Sequence, residues 1–319
     1  MKKLIIDTDP GIDDAMAIQM ALNAQELDIM GLTTVFGNVN IDLTTSNALR
    51  ILDLAGRNDI AVAKGAEHPL KTKFAGGVPF VHGDDGQGNT YKPASKSSAV
   101  ELSASAFLVE HILRYPGEVT IAALGPLTNL AMALQMEPQI QQLVKEIVIM
   151  GGNAFCAGNA TPAAEANMYS DPEAADIVFG ADWSLTMVGL DVTHKTVLSK
   201  HDIAEISTSK TPLNRHVMEA YKFYQDFFKK ANKMDGTYLH DASVIAYLLD
   251  RSLYQTAAYP IRVETSDCLG KGKVWPSDGA SDQEERPALR PWRNRPLVNV
   301  CVDVNAKEVI DLVKSKLML

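Results

Sequence analysis

Cysteine is scarce in this chain. Cys156, Cys268 and Cys301 are the only three in 319 residues, too few and too scattered for the disulfide framework of a small secreted domain. None stands at the paired spacing of a zinc site. Long apolar runs are missing too. Met1-Lys2-Lys3 leads into only three apolar residues before Asp7, too short a run for a signal peptide, and no later stretch is long enough to span a bilayer. The cytoplasm is the expected compartment. Positive charge is in deficit: 30 Lys and Arg against 39 Asp and Glu give a formal net charge of −9 and a pI near 5.3. That balance argues against a nucleic-acid backbone or an anionic membrane as the main partner. It suits a neutral small molecule, or a metal that receives an anionic one. Internal repeats and low-complexity segments are also absent.

What remains is the composition of an ordinary globular protein with a sizeable core, 46% hydrophobic and 22% charged. The length permits two domains, but α/β folds of this size commonly form one unit, and a single domain over 1–319 is expected. Short β-branched runs at Leu4–Asp7, Ile29–Val35, Ile60–Ala63, Val119–Leu124, Ile147–Met150 and Leu185–Leu190 read as buried strands. Helical patterns follow several of them, at Asp13–Leu22 and Leu127–Leu134. The alternation predicts an α/β fold: an open, mostly parallel sheet flanked by helices, with its site at the carboxyl ends of the strands. Leu213–Asp250 reads as mainly helical. Phe74–Tyr91, with five glycines, reads as a flap, and Trp275–Pro296 as a loop. Val298–Val304 and Ala306–Leu317 read as a closing strand and helix.

The chemistry concentrates at the end of the first strand. Asp7-Thr8-Asp9-Pro10-Gly11-Ile12-Asp13-Asp14 places four carboxylates within eight positions. Asp7 and Asp9 share a face of the strand end, because side chains alternate there. Pro10-Gly11 makes a turn. Asp13 and Asp14 open a helix whose dipole favours anions. Helix capping needs one aspartate, not four. Crowded carboxylates repel unless a cation sits among them, and an all-oxygen set suits Ca²⁺ or Mg²⁺.

Other segments carry weaker signals. Leu124-Gly125-Pro126-Leu127-Thr128-Asn129 joins a strand to a helix, a junction where Gly-Pro turns are common. Met150-Gly151-Gly152-Asn153 ends another strand, with Asn159, Glu165 and Asn167 downstream. That mixture of donors and acceptors suits vicinal hydroxyls, and equally an ordinary polar loop. His240-Asp241 begins an apolar helix, where Asp241 is either a cap or a ligand. His82 lies in the Gly-rich Val81-His82-Gly83-Asp84-Asp85-Gly86. Tyr224 and Phe228 lie one helical turn apart, for which core packing is the default.

Taken together, these segments resemble the inosine-uridine nucleoside hydrolase family, over roughly residues 3 to 250 and more loosely to the C-terminus. The resemblance implies hydrolysis of the N-glycosidic bond of ribonucleosides. It implies Ca²⁺ held by Asp9, Asp14, Asp241 and the Leu124 carbonyl, with Asp9 accepting a proton from the calcium-bound water. It places the ribose hydroxyls against Asp13, Asn38, Asn159, Glu165 and Asn167, beside Met150. His240 becomes the acid that protonates the departing base, and its presence indicates the purine/uridine-type group. His82, Tyr224 and Phe228 fall where the base binds, and Gln87-Gly88-Asn89 looks more like the plant-type flap than the protozoal one. Attack on C1′ would pass through an oxocarbenium-like state. A homodimer or homotetramer is expected.

Two rivals share some of these features. A haloacid-dehalogenase-type phosphohydrolase also carries Asp-x-Asp after its first strand, but expects Gly-Thr next, where this chain has Pro10-Gly11. A non-catalytic nucleoside or sugar sensor would share the fold, and the intact polar set argues against it.

Overall fold

Leu4 and Ile6 point into one apolar core and Ile5 into another, so β1 (Lys2–Thr8) must be covered on both sides. Two-sided burial is the signature of a parallel sheet sandwiched between helices. The computed structural model describes residues 1–277 and 291–319. The other strands are β2 (Leu27–Thr34), β3 (Ala61–Lys64), β4 (Val119–Ala123), β5 (Glu146–Met150), β6 (Leu185–Val188), β7 (Val197–Ser199), β8 (Gly236–Tyr238), β9 (Tyr254–Val263), β10 (Val274–Pro276) and β11 (Leu297–Val304). Nine of these form one sheet in the order β10-β9-β11-β6-β5-β4-β1-β2-β3. All neighbours from β11 to β3 run parallel, whereas β9 and β10 add antiparallel pairs at one edge. β7 and β8 pair separately.

The first core takes helices Ile12–Leu22, Ile41–Ala55, Pro212–Ala231, Asp241–Leu249 and Ala306–Leu317; the second takes Ala104–Arg114, Thr128–Met136 and Pro172–Phe179. From β1 the chain proceeds outward through β2 to β3, then returns to lay β4 on β1's other side. The strand order therefore reverses at the β1–β4 pair. Open α/β sheets bind ligands in the crevice at the carboxyl ends of such a pair. The segment after β1 carries Asp9, and Leu124 follows β4 immediately.

Several expectations need correction. β6 stops at Val188, and Leu190 begins a short helix, Leu190–Thr193. The stretch read as helical from Leu213 is broken by β8. Phe74–Tyr91 contains a helical turn, Pro79–His82. Its Asp85 is buried and accepts from the main-chain nitrogens of Gln87, Asn89 and Tyr91, at 2.7, 2.8 and 2.8 Å. Trp275 and Pro276 belong to β10, and positions 278–290 of the expected loop lie outside the described residues. The three cysteines are unpaired, and no helix among the described residues is long and apolar enough to cross a membrane.

Candidate active site

β1 delivers Asp9 into the crevice with little room to spare. A Cβ at Gly37 would lie 2.0 Å from Asp9 Oδ2, and one at Gly125 would lie 2.6 Å from Oδ1. Only glycine permits backbone to close on both oxygens of that carboxylate. Oδ2 also accepts from the Asn38 backbone N–H at 2.8 Å. The Asn38 side-chain amide donates to the Asp9 carbonyl at 3.1 Å and to Asp14 Oδ2 at 3.0 Å, so one residue ties both acids together. Asp14 occupies the third position of helix Ile12–Leu22. It accepts from Gly11 N at 2.9 Å and from the Thr8 hydroxyl at 2.5 Å. Helix capping and the acid cluster are thus the same contact.

The oxygens of Asp13, Asp14 and Asp241 come within 4.8 Å of one another. Asp9 stands outside this tightest trio, bridged to it by Asn38. Burial, then mutual repulsion, raises the Asp9, Asp14 and Asp241 carboxyls above the usual carboxylate range, Asp9 and Asp241 well above it. Burial alone pushes Asp13 up to about 6, against the Tyr224 hydroxyl, which donates to it at 3.1 Å. Among the described residues no Lys or Arg pairs with any of the four. His82 Nδ1 lies 3.9 Å from Asp13 Oδ1, but it accepts the Ile12 N–H at 3.1 Å, and burial lowers its pKa to about 4. That imidazole is neutral and offsets no charge. Three buried acids and a partly buried fourth, without a counter-cation among the described residues and offering only oxygen donors, fit a hard divalent ion.

The ribose-candidate residues meet these acids at the ends of β4 and β5. The Asn167 side-chain amide donates to the Leu124 carbonyl at 2.7 Å and to the Met150 carbonyl at 3.1 Å. It therefore straddles two strand ends, and the Leu124 oxygen faces the group expected to share its ligand. Met150 itself is core. Glu165 is buried, and both its oxygens accept main-chain N–H groups, from Gly152 at 2.9 Å, Asn167 at 2.9 Å and Met168 at 3.2 Å. It caps the helix that carries Asn167. Asn159 is exposed, and its Oδ1 accepts from Ala166 N at 3.0 Å.

His240 is buried rather than superficial. Burial, then repulsion from His194 and His82, lowers its pKa to about 3. Its Nδ1 lies 3.0 Å from the Thr193 hydroxyl. Thr193 was not singled out in the sequence; its signal is the position after β6, at the same end of the sheet as the acids. Tyr224 bridges the two histidine regions. Its ring centroid is 5.6 Å from His82 and 4.8 Å from Phe228, which in turn lies 5.5 Å from Tyr238 beside His240. Tyr224 and Phe228 are also core residues, so packing is the role the structure gives them.

Residues 4–311 match the model of the family described as inosine-uridine preferring nucleoside hydrolase. The chain is 42% identical over 321 residues to the probable uridine nucleosidase 2 of Arabidopsis thaliana, covering 99% of this chain and 98% of that one. It is 36% identical over 273 residues to the inosine-uridine preferring nucleoside hydrolase of Crithidia fasciculata, covering 85% and 86%. A solved plant nucleoside hydrolase superposes with a TM-score of 0.95 at 39% identity, covering 99% of each chain. These matches leave no place for the phosphohydrolase alternative.

Proposed function

We propose a calcium-assisted N-ribohydrolase: the chain belongs to the inosine-uridine preferring nucleoside hydrolase family and hydrolyses the N-glycosidic bond of ribonucleosides to ribose and free base. The reading adds an ion, a division of labour and a substrate preference, all on one domain over 1–319. The observation that carries it is the cluster of buried Asp9, Asp14 and Asp241 with partly buried Asp13, which among the described residues has no lysine or arginine partner. Asp9, Asp14, Asp241 and the Leu124 carbonyl are the residues that would hold calcium. Bound there, the ion supplies a Lewis-acid site that makes water easier to deprotonate and grips the ribose diol.

The protein's own groups do the rest. Asp9, fixed between Gly37 and Gly125, takes the proton of the attacking water. Asp13, Asn38 and Asn167 hold the sugar hydroxyls, with Asn159 at the exposed rim. Glu165 contributes by fixing Asn167 rather than by touching sugar. The carboxylates around C1′ stabilise its developing positive charge. His82 contacts the departing base and His240 donates its proton, a role that requires the imidazole, neutral in the free protein, to be protonated in the substrate complex. Uridine and inosine are the proposed substrates; uridine appears in the name of the Arabidopsis relative, and both in that of the Crithidia relative. A cytoplasmic homodimer or homotetramer completes the reading, the compartment supported by three unpaired thiols.

The test is release of reducing ribose from uridine, inosine, cytidine, adenosine and xanthosine, before and after chelation. Uridine and inosine are expected to lead, chelation to stop turnover, and calcium to restore it. Asp14→Ala is expected to lose calcium binding and turnover together. Full activity in metal-stripped enzyme would sink the calcium reading.

A further inference from the structure

We propose that Lys273 and Asp191 are positioning residues that clamp the sugar-binding loop from outside the site. The inference rests on reading the Asn153–Asn167 segment as ribose-binding. Asp191 lies in the short helix Leu190–Thr193 after β6, and Lys273 in the turn between β9 and β10. The Asp191 carboxylate accepts two consecutive main-chain N–H groups, Ala154 at 2.8 Å on Oδ2 and Phe155 at 2.7 Å on Oδ1. The Lys273 ammonium donates to the flanking carbonyls, Asn153 at 2.6 Å and Cys156 at 3.4 Å. An anion thus holds the donors and a cation the acceptors of one four-residue bend. Charged partners make such bonds stronger than neutral ones.

The bend transmits that restraint. Fully buried Asn153 donates from its side chain to the Cys156 and Ala163 carbonyls, at 3.0 and 2.9 Å, and accepts from Glu165 N at 3.2 Å. It therefore joins both ends of the loop, and Glu165 in turn fixes Asn167. The Lys273 turn is built to reach this place. Gly272 has φ +78°, and a Cβ there would meet the Tyr169 Cα at 2.7 Å, so the turn lies directly on the helix bearing Asn167. A Cβ at Gly152 would lie 3.0 Å from the Val274 side chain. Antiparallel edge strands that contribute no residue to the acid cluster thereby set the geometry of the sugar subsite.

The experiment uses the full-length, calcium-loaded enzyme and measures uridine kinetics, inhibition by D-ribose, calcium affinity and melting. Lys273→Met and Asp191→Asn are each expected to raise the uridine KM and the ribose inhibition constant about tenfold, with a smaller change in kcat. Calcium affinity is expected to hold, and Lys273→Arg to recover most of the loss. General destabilisation would lower the melting temperature without selectively weakening ribose. Asn167→Ala separates the two levels of the argument. If it leaves ribose inhibition unchanged, the loop does not bind sugar, and the clamp falls with that reading. If it weakens ribose while Lys273→Met and Asp191→Asn do not, the clamp alone is overturned. Should Asp191→Asn fail to fold, Lys273→Met decides.

Discussion

Replacing Gly37 by alanine tests whether Asp9 needs the position it has. The new Cβ would fall 2.0 Å from Asp9 Oδ2, 2.8 Å from its Cγ and 3.1 Å from its Cβ. An ordinary C···O contact is about 3.3 Å, so the carboxylate must retreat by about 1.3 Å. It cannot turn freely, because the backbone of Gly125 closes on Oδ1. Retreat also gives up the 2.8 Å bond from Asn38 N. Gly37 is not among the glycines with positive φ, so alanine meets no backbone penalty and the effect is local to the acid. A misplacement of about 1 Å costs about 10²-fold when a catalytic group must be aligned. Gly37→Ala is therefore expected to lower uridine kcat by about 10²-fold and, because Asp9 is also a proposed calcium ligand, to weaken calcium affinity, with metal-free melting little changed. Gly56→Ala is the control. Its φ of +68° lies in the left-handed region, and nothing stands within 4 Å of its added Cβ, so it is expected to cost about 1 kcal/mol of stability and leave turnover intact. Steady-state ribose release and thermal melts on both variants decide the matter. Wild-type kcat in Gly37→Ala would refute the role given to Asp9.

Three further outcomes follow from the same geometry. Raised carboxyl pKa values mean that the folded, metal-free protein holds protons which the unfolded chain has released, so this stabilisation is complete below the unfolded value of about 4 and is lost as pH rises through the folded values, about 6 for Asp13, with Asp241 also raised. Chelated protein is expected to melt lower as pH increases across that window, and saturating calcium to flatten the trend; a metal-free melting curve independent of pH would contradict the repulsion argument. His240→Ala is expected to slow uridine and inosine cleavage about 10²- to 10⁴-fold while sparing a riboside with a good leaving group such as 4-nitrophenol, with Thr193→Val giving a weaker form of the same pattern; equal losses on all substrates would remove His240 as the acid. Tyr224→Phe removes the hydroxyl bonded to Asp13 and is expected to reduce uridine kcat/KM about tenfold, since a hydrogen bond to a charged group contributes about 1.5–3 kcal/mol; unchanged kcat/KM would show that this contact plays no part.

The central strands were readable because each is a short β-branched run buried on both faces, and hydrophobicity alone reports that. Helix Ile41–Ala55 was not identified, and the cause lies in its own residues. Thr44-Thr45-Ser46-Asn47 are poor helix formers. Yet the Asn47 amide donates to the Pro10 carbonyl at 3.1 Å and to the Asp85 carbonyl at 2.9 Å, so a residue that blurs the local pattern secures the turn beneath the acids. β9 was hidden by Pro260, which argues against a strand flanked on both sides. Here Pro260 stands just past the β9–β10 pairs, which end at Pro276–Ile261, so its missing N–H interrupts no pair there, while its carbonyl accepts from Ser277 N at 3.0 Å. The acids divide along the same line. Asp9, Asp13 and Asp14 are neighbours in sequence and announce themselves. Gly37, Asp191 and Lys273 act through approaches between distant segments, for which a single sequence carries no local signal. Glu165 differs again: its residue type suggests a sugar contact, and its oxygens accept the main-chain N–H groups of Gly152, Asn167 and Met168.

The placement of the acids follows from β1 standing where the strand order reverses. On one side β2 leads to Gly37 and Asn38; on the other β4 ends at Leu124 and Gly125. Asp9 is therefore enclosed by backbone from both neighbouring strand ends, something an edge strand cannot provide. The first helix then brings Asp14 back against Thr8 and Gly11, and helix Asp241–Leu249 packs on that helix to bring in Asp241. Asp9, Asp13 and Asp14 are held by neutral donors: hydroxyls, an amide and main-chain N–H groups. Such dipoles orient a carboxylate without neutralising it, so the cluster keeps its affinity for a cation while its geometry is already set. A lysine in the same place would have stabilised the empty fold and removed the reason to bind an ion. The absence of a counter-charge among the described residues is the feature that makes a capped helix and two strand ends a candidate cation site.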